Sequence, residues 1–440
     1  IYHLRFPEMT LNAGRWAYDL ANSSSFYPAA MGTLYLPALA IDAQGVVAQL
    51  VHYGFFLLTL VAASAIARRL GAATGDYAAI LCAALPAAAI VAGWAWADMG
   101  LAFALATSAL ALLAGVPGLA IVLLALSASM KYTALIAGLP LFLLAVRKSP
   151  RAVLLGVLVL SPWYATNALR TGNPIYPIGE ATHPAAEMVA TWSGESRLDV
   201  WTNYFARPQT LDEDVGGLLF LVVAVTGLAL ARKQRATFVV LAMWVLYLPL
   251  TAAMRLLLPA VLATLIVAGA ALEQFERKHV AIALVAAFAL RGALVAIAHN
   301  ARFFNPLPAA VGIEDERAYV ERNFAPARLF ARADTLLPRD ARLLAINEVR
   351  LFRFPRPVTA SRVLDPPLLR RYTSGARDVA EVVRRLRADG ITHLLAAARP
   401  VERGTGIALT ADEDRLTRAL LHESRMLHRD GAVALFELPR

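Results

Sequence analysis

Asp98, Lys131 and Arg255 each stand at the end of a long apolar stretch of the chain. Tyr132 follows the lysine, and Trp94 and Trp96 run just ahead of the aspartate. Tyr2-His3, Arg5, Glu8 and Asp19 lie near the start, while His52-Tyr53 and Arg291 fall about two helical turns inside apolar runs. Polar groups in or at the mouth of a membrane bundle are costly, so each invites a functional reading. One carboxylate with two or three cations at a membrane surface suits a phosphorylated lipid. The cations would hold the phosphate, and the carboxylate would activate or orient an attacking group.

Plainer readings exist for each of them. Trp94 and Trp96 suit interfacial anchors. Asp98 suits the N-cap of the helix that follows it. Lys131, Arg255 and Arg291 can snorkel their charges to the interface, and His52 can be a hydrogen-bonded bundle histidine. Glu180, His183 and Glu187 fall at helical spacing and offer a weak metal triplet. No stronger metal cage is present, so no metal or other cofactor is expected, with a divalent ion left open.

These residues need elements to hold them. Of 440 residues, 58% are hydrophobic and 17% charged, with a net charge of +10. Residues 1–300 carry only 32 charged side chains, and residues 301–440 carry the other 42. No soluble domain buries 300 residues this apolar, so residues 1–300 read as a polytopic membrane domain and 301–440 as a water-soluble one. The basic excess lies in short loops between apolar runs, which argues against nucleic acid as a partner. A single cysteine, Cys82, excludes an intramolecular disulfide and multi-cysteine metal sites.

Mainly apolar runs occur at about 46–67, 77–93, 99–114, 117–130, 133–146, 152–168, 216–231, 237–253, 256–272 and 280–298. Backbone groups in hydrocarbon must pair within their own segment, so the runs are expected as helices, about ten spans. One set of alternate loops (68–76, 115–116, 147–151, 232–236, 273–279) holds ten Lys or Arg in 28 positions. The opposite set (1–45, 94–98, 131–132, 169–215, 254–255) holds seven in 101. The positive-inside rule puts the first set in the cytoplasm. The candidate residues then share the outer face with the loops 1–45 and 169–215 and with the C-terminal domain. A start at Ile1 with 45 residues already outside reads as an N-terminal truncation, lacking one helix and the beginning of the first loop.

Residues 301–440 read as a small extracytoplasmic α/β domain. Ala341–Asn347 and Ile391–Ala396 are buried-strand runs, and Val379–Leu386 is an amphipathic helix reaching the second through Asp389-Gly390. Arg425–Leu438 reads as a hairpin turning at Asp430-Gly431. No Walker loop, GxGxxG fingerprint or GxSxG elbow occurs in it, and a lid or docking role is its simplest reading.

Five short stretches carry a family resemblance. Ser161-Pro-Trp-Tyr-Ala-Thr-Asn167 and Thr171-Gly-Asn-Pro-Ile-Tyr-Pro177 resemble the "PW…RN…TGNPxYP" stretch of bacterial polyprenyl-phosphate-dependent glycosyltransferases. Tyr2-His3-Leu4 resembles the end of the first-loop "D…YHL" motif. Ala97-Asp98-Met99 resembles the acidic second-loop motif, and Ser129-Met-Lys131-Tyr132-Thr133 the "TKYT" motif. Arg255-Leu-Leu-Leu-Pro259 is similar to "RYLLP", with Leu256 replacing the tyrosine. In order, these resemble the GT-C superfamily, family 39-like, which includes aminoarabinose transferases and protein O-mannosyltransferases.

The resemblance implies inverting transfer of a sugar from a polyprenyl-phosphate carrier to a cell-envelope glycan, lipid or protein acceptor. It places the enzyme in a bacterial inner membrane, with the C-terminal domain periplasmic. Asp98 and His3 become the candidate catalytic residues, joined by a first-loop aspartate expected just before Tyr2. Tyr2, Lys131, Tyr132, Arg255 and Arg291 become the substrate-binding candidates. Other classes are a transporter or lipid flippase and a non-catalytic membrane assembly factor. Transporters usually carry internal repeats and midplane polar sites, and here no repeat is evident.

Overall fold

The computed structural model describes residues 2–19, 22–178, 214–247, 254–324, 326–361, 367–398 and 409–439. The chain forms two compact units. Described residues within 27–176 and 214–299 make one, and those within 1–26, 177–178 and 300–439 make the other. The first 26 residues thus belong with the C-terminal part, where the sequence reading grouped them with the spans.

The first unit is helical. Val46–Arg69, Asp98–Leu113, Pro117–Ala128, Val153–Thr171, Gly217–Leu230, Arg235–Tyr247, Leu258–Gln274 and Lys278–His299 follow eight of the ten apolar runs. The other two are broken. Run 77–93 becomes Asp76–Ala83 and Pro86–Ala92, and run 133–146 becomes Thr133–Ala137 and Leu139–Val146. In both, a proline begins the second helix (Pro86, Pro140), where its missing N–H costs nothing but its ring forbids a preceding helical turn. Ala30–Ile41 is a further helix inside the stretch read as outer loop.

Among the described residues, Val46–Arg69, Pro150–Thr171 and Lys278–Phe304 are long and apolar enough to cross a bilayer, and six other apolar helices are shorter. Leu258–Gln274 is buried at nearly every position from Leu258 to Leu272, as expected for a helix hydrophobic on all sides. Small residues set its neighbours' distance. A Cβ added at Gly227 would stand 2.3 Å from the Ala268 Cβ, and one at Gly292 would stand 1.9 Å from the Ala84 carbonyl oxygen.

Connections that share a charge class come together. The Glu273 carboxylate accepts the Thr74 N–H at 2.6 Å and the Gly75 N–H at 3.0 Å, and Gln274 Nε2 donates to the Leu70 carbonyl at 3.3 Å. These residues lie in or beside two Lys/Arg-rich connections. Asp98 and Lys131, from two connections of the opposite set, also meet.

The second unit holds a five-stranded sheet ordered β2-β1-β3-β5-β4. Its strands are β1 Leu343–Ile346, β2 Val358–Thr359, β3 His393–Ala397, β4 Arg425–Asp430 and β5 Val433–Glu437. β1 runs parallel to β2 and β3; β5 is antiparallel to β3 and β4. The expected strands, the helix (Val379–Ala388) and the hairpin turn at Gly431, in left-handed φ, are all present. Alternating side chains build a core on each face, Leu344, Leu394, Val382 and Leu420 on one, Leu343, Leu395, Leu435 and Phe330 on the other. On helix Tyr2–Ala13 the Glu8 carboxylate accepts the Arg353 backbone N–H at 3.0 Å, and Asn22 Nδ2 donates to the Ala360 carbonyl at 3.3 Å.

Candidate active site

Asp98 opens helix Asp98–Leu113 after the Trp94–Ala97 turn, in which the two indoles meet edge to face at 4.5 Å. The N-cap position belongs to Ala97, so Asp98 is not the cap that its residue type suggested. Its carboxylate, 3% exposed, accepts a hydrogen bond from Lys131 Nζ at 2.6 Å, and Lys131 itself is 17% exposed. The adjacent Met99 N–H donates instead to His52 Nε2 at 3.0 Å. A buried N–H left unpaired would cost about 1–3 kcal/mol. The Tyr35 hydroxyl, from helix Ala30–Ile41, donates to the Trp96 carbonyl and fixes the same turn from another side.

Lys131 sits in the short 129–132 connection, and the 161–177 motif holds that connection in place. Ser129 Oγ donates to the Ala125 and Val159 carbonyls at 2.9 and 3.1 Å. The Tyr132 hydroxyl donates to the Tyr176 carbonyl at 2.8 Å and accepts from Asn167 Nδ2 at 2.9 Å. Asn167 also reaches the Pro174 carbonyl at 3.4 Å, and Tyr164 donates to the Ala128 carbonyl at 2.9 Å. The Tyr132 ring meets Tyr27 and Tyr164 edge-on at 5.9 and 5.8 Å. The motif therefore works here as a scaffold: it turns the chain back on itself and clamps the residue after Lys131. A cavity of about 320 Å³ lies beside this arrangement, with apolar walls that include Phe55, Phe103, Leu126, Met130 and Trp163.

Arg291 is engaged elsewhere in the unit. Its guanidinium grips the Asp214 carboxylate with two bonds of 3.0 and 2.9 Å. Asp214 also accepts the Gly216 N–H at 2.7 Å through its side chain and the Ala87 N–H at 2.9 Å through its carbonyl. The pair ties helix Lys278–His299 to the start of Gly217–Leu230 and to Pro86–Ala92. Nothing in the spacing marked Asp214, one acid among several in its stretch, as the partner.

Arg255 lies in the turn Met254–Leu257 that leads into helix Leu258–Gln274, and its side chain falls outside the described ones. The same holds for the Tyr2 side chain at the start of helix Tyr2–Ala13. His3, half-buried, is on that helix in the second unit. Glu180, His183 and Glu187 lie outside the described residues. Among the described residues no group of three or more His, Cys, Asp or Glu is placed to hold a metal.

No protein-family model and no curated protein matches the chain. Solved structures do. ArnT from Cupriavidus metallidurans in the apo state is similar with a TM-score of 0.65 at 12% identity, over 99% of this chain and 92% of that one. ArnT from the same organism bound to undecaprenyl phosphate gives 0.56 at 14%, over 99% and 92%. The arabinofuranosyltransferase AftD from Mycobacteria gives 0.53 at 15%, over all of this chain and 37% of that one. With its apolar helices and small C-terminal sheet, this chain shares the fold of these solved ArnT and AftD structures.

Proposed function

We propose that this protein transfers a sugar from a polyprenyl-phosphate carrier to an acceptor on the extracytoplasmic face of a bacterial inner membrane, with inversion at the anomeric carbon. The observation that carries this reading is the Asp98–Lys131 pair, a buried carboxylate and an ammonium 2.6 Å apart, in a helical unit that also holds an apolar cavity lined in part by Met130. In the reaction the bond from sugar C1 to the phosphate oxygen breaks. The acceptor oxygen or nitrogen bonds to C1 from the opposite face, and polyprenyl phosphate departs with the electron pair. Lys131 and Arg255 meet the charge that grows on that phosphate, where fixed cations in a site of low dielectric act most strongly. Asp98 orients the acceptor and helps take up its proton. Tyr132 would reach the donor through its ring, since its hydroxyl is engaged.

The apolar cavity suits part of an isoprenoid chain. The ten apolar runs form the embedded domain, and the 301–440 domain faces the periplasm. The test is direct. Full-length protein in detergent receives a labelled sugar on polyprenyl phosphate, with chelator and divalent ion added in separate arms. Labelled acceptor together with free polyprenyl phosphate supports the reading. Translocation of intact donor across vesicle membranes with no bond broken would mark a flippase instead, and inertness in both assays would leave an assembly factor.

A further inference from the structure

Between helix Pro86–Ala92 and helix Asp98–Leu113 the chain makes the Trp94–Ala97 turn, and one imidazole bridges it. His52, wholly buried on helix Val46–Arg69, places Nδ1 3.4 Å from the Ala92 carbonyl, at the end of the first helix. Its Nε2 lies 3.0 Å from the Met99 N–H, at the start of the second. A backbone N–H can only donate, so Nε2 is the bare nitrogen and Nδ1 carries the hydrogen that goes to Ala92. A neutral imidazole in this tautomer satisfies an orphan carbonyl and an orphan amide, the two kinds of group that helix ends leave over. Met99 directly follows Asp98 in the first turn of its helix, so the bridge pins the backbone from which the Asp98 carboxylate reaches Lys131.

We propose that His52 is a positioning residue: by bridging Ala92 and Met99 it holds the Asp98 carboxylate in register with Lys131. This rests on the reading of Asp98 and Lys131 as the working pair, so its test has one readout that needs no catalysis. His52→Leu removes both bonds at similar volume, and His52→Phe does so with a ring retained. His52→Gln keeps an acceptor and a donor on a flexible side chain. Each is treated with a water-soluble acylating ester, and modification of Lys131 is followed by mass spectrometry. Asp98→Asn gives the rate for the broken pair.

Lys131 should be slow to react in wild type and in His52→Gln. It should react about tenfold faster in His52→Leu and His52→Phe, a change matching the loss of one net hydrogen bond. A wild-type rate in a folded Leu or Phe variant would overturn the proposal. Should both fail to fold, His52→Gln decides alone, slow acylation supporting the bridge and fast acylation refuting it.

Sugar transfer then separates positioning from general damage. His52→Leu should lower kcat about tenfold or more with donor KM within about twofold, and Gln should restore most of it. In an Asp98→Asn background the same substitution should cost less than about threefold, because both changes act through one carboxylate. Full multiplication of the two losses would make His52 merely structural. If Asp98→Asn itself transfers sugar at the wild-type rate, the functional reading of Asp98 fails, while the acylation rates still decide the role of His52.

Discussion

Asp98→Asn keeps the shape of the side chain and removes the charge that Lys131 meets. Because Ala97 rather than Asp98 occupies the cap position, the change leaves the helix end intact. Transfer should fall roughly 10²-fold or more, in the range of general acid–base groups. The melting temperature in detergent should fall less than in Lys131→Ala, because the ammonium left behind is the more exposed member of the pair. Lys131→Ala and Arg255→Ala should each raise donor KM or lower kcat tenfold or more, given ~1.5–3 kcal/mol for a charge-assisted hydrogen bond. Lys131→Ala carries a structural cost as well, since a buried carboxylate loses a cation. Adding Asp98→Asn should recover part of the lost melting temperature but none of the rate. Wild-type kinetics in both variants would leave Lys131 as a structural partner of Asp98 and Arg255 as a snorkelling side chain. Asp98 and Lys131 were each legible as candidate site residues because their residue types are improbable at the ends of apolar runs, but their ion pair was not. The Arg291–Asp214 and Tyr35–Trp96 bonds were not, because partner choice depends on how helices far apart in sequence come to lie.

Elements were legible where hydrophobic runs are long and less so where proline interrupts them. The breaks at Leu85-Pro86 and Gly138 were written in the sequence, yet a count of apolar residues runs straight across them. The capping box of helix Ala411–Glu423, in which Thr410 and Glu413 satisfy each other's backbone, was present as a Thr-x-x-Glu spacing that went unread. Glycines that set helix spacing leave no local mark at all. Gly292 shows the consequence: a methyl there would stand 1.9 Å from the Ala84 oxygen, far inside contact distance. Gly292→Ala should therefore destabilise by about 1–3 kcal/mol or more. Gly54→Ala, in a helix with nothing within 4 Å of the added carbon, should be neutral or stabilising by up to ~1 kcal/mol. Melting of the two variants side by side in one detergent checks this, and equal losses would dismiss the close approach.

At the scale of the molecule, two properties can be measured without substrate. The charge asymmetry of the loops predicts Arg147–Arg151 inside and the C-terminal unit outside. Reporter fusions should then be active in the cytoplasm after residue 150 and in the periplasm after residue 310; the reverse pattern would turn the proposed site to the wrong face. The second property is acid sensitivity of the sheet-bearing unit. Burial holds the His393 imidazole below its ordinary 6.5. Burial works to raise Glu413, but the Thr410 amide and the Arg370 guanidinium outweigh it, and its carboxyl titrates below the usual 4.5. In both cases the unfolded chain binds the proton first, so stability falls as pH falls. The loss should begin below about pH 6.5 for His393 and add a further step below about 4.5 for Glu413. Hydrogen exchange of residues 391–397 and 411–423, corrected for intrinsic rates, follows both steps. His393→Gln should remove the upper one.

The Glu8–Arg353 bond joins groups 345 positions apart in the chain, and that separation bears on biogenesis. Helix Tyr2–Ala13 leaves the ribosome long before the residues that complete its surroundings exist. At 5–20 residues per second, roughly 17–70 s separate the two. During that interval Phe6, buried in the finished unit, has no native cover, and the N-terminal segment must wait while the intervening helices are made. A translational arrest or nonsense codon anywhere before residue 353 therefore does more than remove the distal domain. It strands the first segment as well, making it a proteolytic marker for whether synthesis reached the end.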